Sequence, residues 1–577
     1  MPQSEPGAVN QIRIPLATTI GTRDSTLSKD AISYNCFAEA KDGNEQIVVR
    51  RFGQNLFRQL TAGTGLGLFS FHGSDVAVIG TTCYLAGVSI GTVNASGGPY
   101  QFVLTNEGAG FFMKNTTNAY WYNGTSLAAI SDANYPTNTV WGVAYVDGYV
   151  FVMDINGIIW NSVVNTPATW GALLFISANA VAGAPVAICS YLNLVVAFIG
   201  NGAVFFYDAA VPSASPLLPV PNATINVGCY AGPTLAFSDN TVLFMGQTAQ
   251  RGRSIYLFNG LIPQPVSDAH IDRILNNVAS VSQIYSYFIK IMGHAFYVLT
   301  LEAGNVTLVL DLNTSKWHVW SSTIAGTALT ITNYSVSSSG VLTATAPAHG
   351  LTNGAVILAN GGLNAISNSL LGVIVPRVID SNTLSWDVSL VAEEGNAQIF
   401  FVGTGTITFQ GALGGNIQWT SSNNSVNPAL PFSITPYLQN YFSQLFYANT
   451  GTSDLLLHGT SGLITQINES SINDNGSFIY NLIRTPALDF GNNKDKYYSA
   501  VEVIADKLPS VDADGIVFVS YSDDDFQSYG YFRPAILAQK RVRITRCGKA
   551  RRRTWSLLYI ANESCRFYAL EPEIDQS

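Results

Sequence analysis

The chain has 577 residues, of which 47% are hydrophobic and only 11% are charged, and its formal net charge is −9. Ordinary globular proteins carry about 25% charged residues, so much of the surface is expected to be uncharged or buried against neighbours. The acidic balance argues against a general nucleic-acid-binding protein. The N-terminal sequence MPQSEPGAVNQIRIPL has no basic start followed by an apolar core, so no secretory signal is expected.

The cysteines are scattered and form no CxxC pair. This pattern predicts buried free thiols in a protein made in a reducing cytoplasm, and it disfavours a disulfide framework or a zinc site. The six are Cys36, Cys83, Cys189, Cys229, Cys547 and Cys565.

A strand–turn–strand unit recurs along the first part of the chain, after an N-terminal arm with strands (residues 1–60). Most copies have an apolar strand, a tight polar turn, a second apolar strand and a third that ends near an aromatic residue. The spacing of about 35–55 residues is that of one propeller blade per repeat. A further copy begins at Tyr441, so about seven blades are predicted. The other first turns lie near Gly73, Gly108, Asp147, Asn193, Asp239 and Gly293.

One copy, YLNLVVAFIGNGAVFFYD (Tyr191 to Asp208), is apolar enough to imitate a membrane span. No Asp, Glu, Lys or Arg occurs from Ile155 through Tyr207. However, Gly200-Asn201-Gly202 interrupts the run between segments rich in Val, Phe, Ile and Tyr. This pattern predicts a β-hairpin, not a transmembrane helix. Stable membrane insertion is not expected.

The blade rhythm stops from about Thr327 to Ile407, where short alternating strands predict a small inserted β domain that folds independently. Longer strands after about Ile472 predict a C-terminal β-sandwich-like domain. The best helix candidate starts at His270 (HIDRILNNVASVSQIYSYF). The chain is therefore predicted to be all-β, with propeller segments 61–326 and 408–471, insertion 327–407 and platform domain 472–577.

Catalytic and metal-binding motifs are missing from the sequence. The histidines include His72 and His294 beside first turns, and no HExxH or comparable ligand spacing occurs. No catalytic, cofactor-binding or metal-binding residue is predicted, although a pair of acidic residues brought together by folding could not be recognised in this way.

A basic run near the C-terminus is the exception to the acidic balance. Between Phe526 and Asn562 there is no Asp or Glu, and the alternation Arg541-Val542-Arg543-Ile544 places arginines on one strand face. Three interpretations are open. The arginines could form a solvated strand face whose charge is offset by Asp523, Asp524 and Asp525, or a collar that binds DNA phosphates at one end of the channel. They could also contact a neighbouring subunit or ring, which we favour over DNA because the rest of the chain is rich in acidic residues. Arg533 and Lys540 belong to the run, and its candidate contact residues are Arg541, Arg543, Arg546, Lys549, Arg551, Arg552 and Arg553.

The order of these features resembles the nozzle, or tail-hub, proteins of short-tailed bacteriophages, which include packaged-DNA-stabilisation proteins. The resemblance covers most of the chain outside the insertion and rests on pattern and order. The stretches that carry it are SYNCFAEAKDGNEQIVVRRFGQNLF at Ser33, INVGCYAGPTLAFSDNTVLFMG at Ile225, GRSIYLFNGLIPQPVSDAHIDRIL at Gly252, DLNTSKWHVW at Asp311, HGTSGLITQINESSINDNGSFIYNLIRTPAL at His458 and RITRCGKARRRTWSLLY at Arg543.

The resemblance implies a non-enzymatic virion tail protein, assembled in the cytoplasm of the bacterial host. It implies a homo-hexameric ring beneath the portal and adaptor rings, contacts with tail fibres or spikes, and a channel that retains genomic double-stranded DNA and conducts it during ejection without sequence-specific binding. A conduit should carry few positive charges, because each neutralised phosphate strengthens non-specific binding. Two alternatives remain. One is a glycan-binding propeller adhesin or depolymerase, which is weakened because this sequence lacks the sialidase-like S-x-D-x-G-x-T-W boxes. The other is a secreted propeller scaffold.

Overall fold

The computed structural model describes most of the chain. The described residues are 13–16, 19–20, 30–40, 46–105, 108–211, 214–238, 240–248, 251–280, 283–336, 341–360, 372–387, 398–402, 406–410, 416–420, 433–491, 494–506, 515–561 and 563–576. The chain divides into two compact units. The propeller unit comprises Phe52–Trp317 and Tyr441–Gly476, and the sandwich unit comprises Met1–Arg51, His318–Asn440 and Ser477–Ser577.

Five short strands open the chain and are divided between the units. The first four belong to the sandwich unit and the fifth to the propeller unit. They are β1 (Ile14–Pro15), β2 (Ile32–Tyr34), β3 (Cys36–Ala40), β4 (Gln46–Arg50) and β5 (Gly53–Gln59).

Four consecutive antiparallel sheets follow, each of four strands in chain order. The apolar stretch Tyr191 to Asp208, which imitates a membrane span, lies in the fourth sheet. It comprises the last residue of β18 and the hairpin of β19 and β20, in which Ile199 pairs with Gly202 across the turn. The hairpin prediction is therefore confirmed. The strands are β6 (Gly65–Phe71), β7 (Ser74–Ile79), β8 (Thr82–Leu85), β9 (Val88–Thr92), β10 (Gln101–Thr105), β11 (Gly110–Lys114), β12 (Ala119–Tyr122), β13 (Leu127–Ala129), β14 (Ala144–Val146), β15 (Tyr149–Met153), β16 (Ile158–Val163), β17 (Thr166–Ser177), β18 (Pro185–Tyr191), β19 (Leu194–Ile199), β20 (Gly202–Asp208) and β21 (Leu217–Pro219).

Two more sheets and one helix complete the first stretch of the propeller unit. The fifth sheet has the order β22-β24-β25-β26 with β23 paired to β24, and the sixth runs from β27 to the start of β30. The strands are β22 (Gly228–Cys229), β23 (Ala236–Ser238), β24 (Thr241–Gln247), β25 (Ser254–Asn259), β26 (Ile262–Pro265), β27 (Ile284–Ile291), β28 (His294–Leu301), β29 (Val306–Asp311) and β30 (Lys316–Ala325).

The helix predicted from His270 is confirmed only in the first part of the predicted segment. Helix α1 (Ala269–Asn277) begins where the Asp268 carboxylate accepts hydrogen bonds from the backbone N–H groups of His270 and Ile271, which otherwise lack helical partners. It buries Ile271 and Leu275, and the rest of the candidate segment is strand β27. No helix in the described part of the chain has the length and apolar character needed to cross a bilayer.

The insertion forms short antiparallel strands around a core that includes Leu342, Leu384 and Trp386, together with Ile434 from beyond residue 407. Val356 and Val375 also pack with Phe532 and Leu558 of the C-terminal part. That the segment folds as an independent domain stays a prediction, and this shared apolar cluster is the contact on which it can be tested. The strands in this part of the chain are β31 (Leu329–Thr330), β32 (Asn333–Val336), β33 (Val341–Thr345), β34 (Val356–Asn360), β35 (Gly372–Ile374), β36 (Arg377–Asp380), β37 (Thr383–Asp387), β38 (Gln398–Val402), β39 (Thr406–Gln410), β40 (Asn416–Thr420) and β41 (Ser433–Tyr441), of which the last two lie beyond the insertion.

A seventh sheet, β42-β43-β44-β5, takes its fourth strand from the N-terminal part of the chain, and the short strand β45 pairs with the other edge of β5. Buried Gln54 accepts a hydrogen bond of 2.6 Å from Thr465 Oγ1, which fixes this pairing. The strands in this part of the chain are β42 (Gln444–Asn449), β43 (Asp454–His458), β44 (Leu463–Asn468), β45 (Asn473–Asp474), β46 (Ser477–Phe478) and β47 (Asn481–Arg484). Seven sheets thus lie in the described part of the propeller unit, as the sequence predicted.

The sandwich combines strands from both ends of the chain. One sheet has the order β3-β4-β53-β48-β51 with β1 on β53, and the other includes β2-β47-β52-β49-β50. Tyr498, Trp555 and Tyr559 belong to the buried core that these sheets share. The fold class is thereby confirmed as all-β, and the domain boundaries drawn from the sequence stay predictions. The last strands are β48 (Lys496–Ala505), β49 (Ile516–Ser522), β50 (Arg533–Ile536), β51 (Arg543–Ala550), β52 (Thr554–Tyr559) and β53 (Arg566–Gln576).

All six cysteines are buried and free, as predicted. Burial raises the pKa of each of five thiols to about 12, so these groups stay protonated at neutral pH. The five are Cys36, Cys83, Cys189, Cys229 and Cys565.

Candidate functional site: the basic strand of the sandwich

The basic run lies on β51 and the segments that flank it. Val542 and Ile544 are 4% and 5% exposed and belong to the core between the two sheets, whereas Arg541 and Arg543 point to solvent. The alternation predicted from the sequence is confirmed. Its physical cause is the two-residue period of a strand with one buried face.

The two arginines of this face are paired with carboxylates of neighbouring strands. Arg541 Nη2 lies 2.6 Å from Glu502 Oε2 and 2.8 Å from Glu573 Oε1, and Arg543 Nη1 lies 3.4 Å from the same Glu573 atom. On the same sheet, Arg13 pairs with Glu571 at 3.1 Å. The exposed face is therefore a network of alternating charges.

Lys549 and Arg551 share one carboxylate, which precedes β48. Lys549 Nζ is 3.2 Å from Asp495 Oδ2, and Arg551 Nε is 3.6 Å from Asp495 Oδ1. The side chains of Lys549 and Arg551 are 58% and 76% exposed, so water screens both contacts. These two cations remain accessible to a partner.

Arg553 is not on the surface. Its side chain is 1% exposed, and its guanidinium makes two bonds to Asp523, 2.6 Å from Nε to Oδ1 and 2.7 Å from Nη2 to Oδ2. Nη1 donates to the Cys547 carbonyl at 2.6 Å, and the guanidinium carbon lies 3.9 Å from the ring centroid of Tyr521 and 4.4 Å from that of Tyr498. Such a buried, doubly bonded and stacked arginine is part of the sandwich core.

The three consecutive aspartates Asp523 to Asp525, considered above as an offset to the positive charge of the run, do not all pair with it. Asp523 pairs with Arg553, and Asp525 Oδ1 lies 3.0 Å from Arg552 Nη2. Asp524 instead accepts hydrogen bonds from Ser528 and Ser522, which lower the pKa of its carboxyl to about 2. Two of the three carboxylates therefore neutralise the run from within its own unit.

The remaining cations lie beside an irregularity in β51. Pairing with β48 shifts between Tyr498 and Ala500, and Arg546 has a left-handed backbone (φ +57°) and an exposed side chain. Arg533 donates from Nη1 to the Thr545 carbonyl at 2.6 Å and from Nη2 to Cys547 Sγ at 3.3 Å. Arg533 therefore stabilises the irregular segment that presents Arg546.

Sequence reasoning missed the partners of the run. Glu502, Glu573 and Asp495 lie outside the acid-free segment, on or beside strands that are distant in sequence. The alternation in YYSAVEVIAD could have marked Glu502 as an exposed residue of a paired strand, but it does not indicate which strand lies opposite.

In the described part of the propeller unit, His294 forms a partly buried pair with the buried carboxylate of Asp311. His294 Nδ1 lies 2.8 Å from Asp311 Oδ2, and Thr314 Oγ1 donates to the same oxygen at 2.7 Å. Burial opposes ionisation of Asp311, but these hydrogen bonds outweigh it and lower the pKa of the carboxyl. Asp311 thus ties β28 to the turn after β29. Among the described residues, no group of three or more His, Cys, Asp or Glu side chains could hold a metal ion.

Comparison with known proteins identifies the family. A family model described as "Bacteriophage P22 Gp10, beta-propeller" matches residues 34–335, which is more than half of the chain. The chain belongs to this family. The Gp10 propeller family is a family of phage tail proteins, so this chain is a structural protein of a bacteriophage tail.

Solved structures resemble the Gp10-family chain only weakly. The computationally designed Ika8 protein has 11% identity and a TM-score of 0.29, with 64% of this chain and 100% of that chain covered. U3-55K has 9% identity and a TM-score of 0.31, with 51% of this chain and 91% of that chain covered. BamB from Moraxella catarrhalis has 11% identity and a TM-score of 0.25, with 63% of this chain and 93% of that chain covered. A search of curated proteins returned no match.

Proposed function

We propose that this Gp10-family protein is the tail nozzle of a short-tailed phage. In this proposal, six copies form a ring below the adaptor, retain the packaged double-stranded DNA and conduct it during ejection. The observation that carries the proposal is the family match over residues 34–335. A chain with only 11% charged residues also suits large permanent interfaces, whose buried centres are depleted of charge.

The exposed cations of the basic run are the proposed contacts with a neighbouring subunit or the adaptor. Arg541, Arg543, Arg546, Lys549 and Arg551 reach solvent, whereas Arg553 is buried and is not part of this surface. Carboxylates of the same chain already face most of these cations, which favours a protein contact over a phosphate-gripping collar. No catalytic step is proposed.

Native mass spectrometry of the purified protein, alone and with the adaptor, tests the proposal. We expect a hexamer, and we expect Arg543→Glu with Arg551→Glu to weaken ring formation or adaptor binding, because both changes reverse exposed charges and leave the Arg553 pair intact. Lys290→Glu with Lys316→Glu, both remote from the run in sequence, reverses the same number of charges and is the matched control.

Two outcomes would contradict the proposal, one its ring assembly and the other the role assigned to the exposed cations. A monomer that persists in the presence of the adaptor would exclude the nozzle. Normal rings whose filled particles leak DNA when Arg543 and Arg551 are reversed would assign the cations to DNA retention.

A further inference from the structure

A cleft in the propeller unit is formed by loops and strand starts of four consecutive sheets. The cleft is open to solvent, and its volume of about 640 Å³ lies within the range of about 300–1,000 Å³ that is typical of small-molecule sites. Its lining residues are uncharged without exception and include Thr116, Asn138, Trp141, Val186, Tyr230 and Gly232.

Trp141 lines the cleft from a segment whose backbone is hydrogen-bonded to β18. Its backbone N–H donates to the Val186 carbonyl at 3.3 Å, and its carbonyl accepts from Ile188 N–H at 2.9 Å. A Cβ atom on Gly232 would lie 2.3 Å from the Trp141 Cβ, so the indole side chain packs directly on that glycine. The position of Trp141 is therefore fixed before any ligand arrives.

A buried lysine strengthens this support. The Lys114 ammonium donates hydrogen bonds to the carbonyls of Val140 and Gly142, the residues on either side of Trp141. Lys114 is 0% exposed, and Gly142 has a left-handed backbone (φ +89°) that brings it against the Ile188 carbonyl. Burying a lysine side chain to bind two backbone carbonyls is a costly way to hold a loop, which indicates that the position of the loop matters.

A second aromatic residue of the cleft is fixed by an arginine behind it. The Arg253 guanidinium lies 4.3 Å from the Tyr230 ring centroid, and its Nη2 donates to the Tyr230 hydroxyl at 2.7 Å. Arg253 itself is bound to the carbonyls of Leu275 and Val278. Both aromatic side chains of the cleft are thus rigid, and rigid anchors lose little entropy on binding.

The chemistry of the lining restricts the ligand. Without a cation in the wall, the cleft offers no charge for phosphate or carboxylate, and without an acid it offers none for a basic ligand. Because the backbone groups of Trp141 are already bonded, an extended peptide cannot add to this wall as a strand. A ligand must therefore be neutral and be held by side chains.

The polar side chains match hydroxyl groups. The Thr116 hydroxyl donates to the Gly97 carbonyl, which leaves its oxygen able to accept, and the exposed Asn138 carboxamide can donate and accept. Aromatic faces pack against apolar C–H surfaces. We propose that this cleft binds a neutral saccharide, with Trp141 and Tyr230 as apolar platforms and Asn138 as the main hydrogen-bonding group.

The test uses the full chain and a defined panel of neutral oligosaccharides: maltohexaose, cellohexaose, mannohexaose, galactan and chitin hexamers. Binding is measured by isothermal titration calorimetry and by saturation-transfer NMR. We expect saturable binding of at least one panel member. Trp141→Ala and Asn138→Ala should each weaken it, the former by about tenfold or more, as for a buried aromatic anchor.

Trp160→Ala is the matched control, because Trp160 is a half-buried tryptophan of the same unit outside the cleft. If Trp141→Ala disturbs folding, Asn138→Ala still reports on the site, since its side chain is exposed. Failure of every saccharide to bind, or binding unchanged in both cleft variants, overturns the proposal. Ring assembly is measured separately, so this outcome is independent of the nozzle proposal.

Discussion

Replacing Arg553 should destabilise the sandwich far more than replacing Arg551, although the two residues belong to one Arg-Arg-Arg run. Arg553 is 1% exposed and bonded to Asp523 and to the Cys547 carbonyl, whereas Arg551 is 76% exposed. Arg553→Ala removes the guanidinium and leaves the Asp523 carboxylate and the carbonyl without their partner. Arg551→Ala removes only a screened surface contact.

The expected magnitude follows from the burial of each partner. Removing one member of a buried ion pair costs about 3–5 kcal/mol. Because the Asp523 side chain is 38% exposed and can regain water, we take the lower end, about 3 kcal/mol. For Arg551→Ala the change should stay within about 0.5 kcal/mol, as for most surface substitutions.

Hydrogen exchange measured by mass spectrometry checks this locally, since the chain has two compact units and one global transition cannot be assumed. Amides of β52 should exchange about 100-fold faster in Arg553→Ala than in the wild type, with no change in β19 of the propeller. Arg553→Lys should recover little, because an ammonium cannot form the two-bond contact with Asp523. Equal exchange rates of β52 in Arg553→Ala and Arg551→Ala would refute the reasoning.

Two further predictions concern other parts of the chain. Burial lowers the pKa of Lys114 from 10.5 to about 7. The folded state therefore binds fewer protons than the unfolded state between these values, and propeller stability should rise with pH across that window, by up to about 5 kcal/mol. Lys114→Met should abolish this rise in denaturant titrations, and an unchanged slope would contradict the assignment. Replacing residues 327–407 with a Gly/Ser linker should leave hydrogen exchange in β19 unchanged and increase it in β52. The reason is that Val356 and Val375 no longer pack on the C-terminal part, which should lower the stability of the sandwich unit by at least about 3 kcal/mol. Retained protection of β52 would show instead that the segment folds independently.

The sequence predicted the blades because each blade is made of neighbours in the chain. Turns such as Asp147-Gly148 connect strands only a few residues apart, so the pattern is local. The closure of the seventh sheet is not local: Gln54 meets Thr465 across more than 400 residues. Nothing in GQNLFRQ indicates which edge it will join, because any open edge offers the same backbone groups.

The candidate site shows the same limit. The solvent-facing position of Arg541 and Arg543 follows from the period of the strand, and the sequence predicted it. The burial of Arg553 does not follow, because it depends on Tyr498, Tyr521 and Asp523, which fold around it from other strands. The saccharide cleft carries no motif, since its lining comes from loops that are far apart in sequence.

Charge that is concentrated in sequence is not necessarily concentrated in space. The run from Phe526 to Asn562 contains no acid, yet five carboxylates from outside it lie within 4 Å of its cations: Asp495, Glu502, Asp523, Asp525 and Glu573. A phosphate approaching Arg541 or Arg543 competes with a carboxylate that is already in place. A surface built this way can contact a protein through its exposed arginines and still bind DNA weakly, which is the combination that a conduit for a moving genome requires.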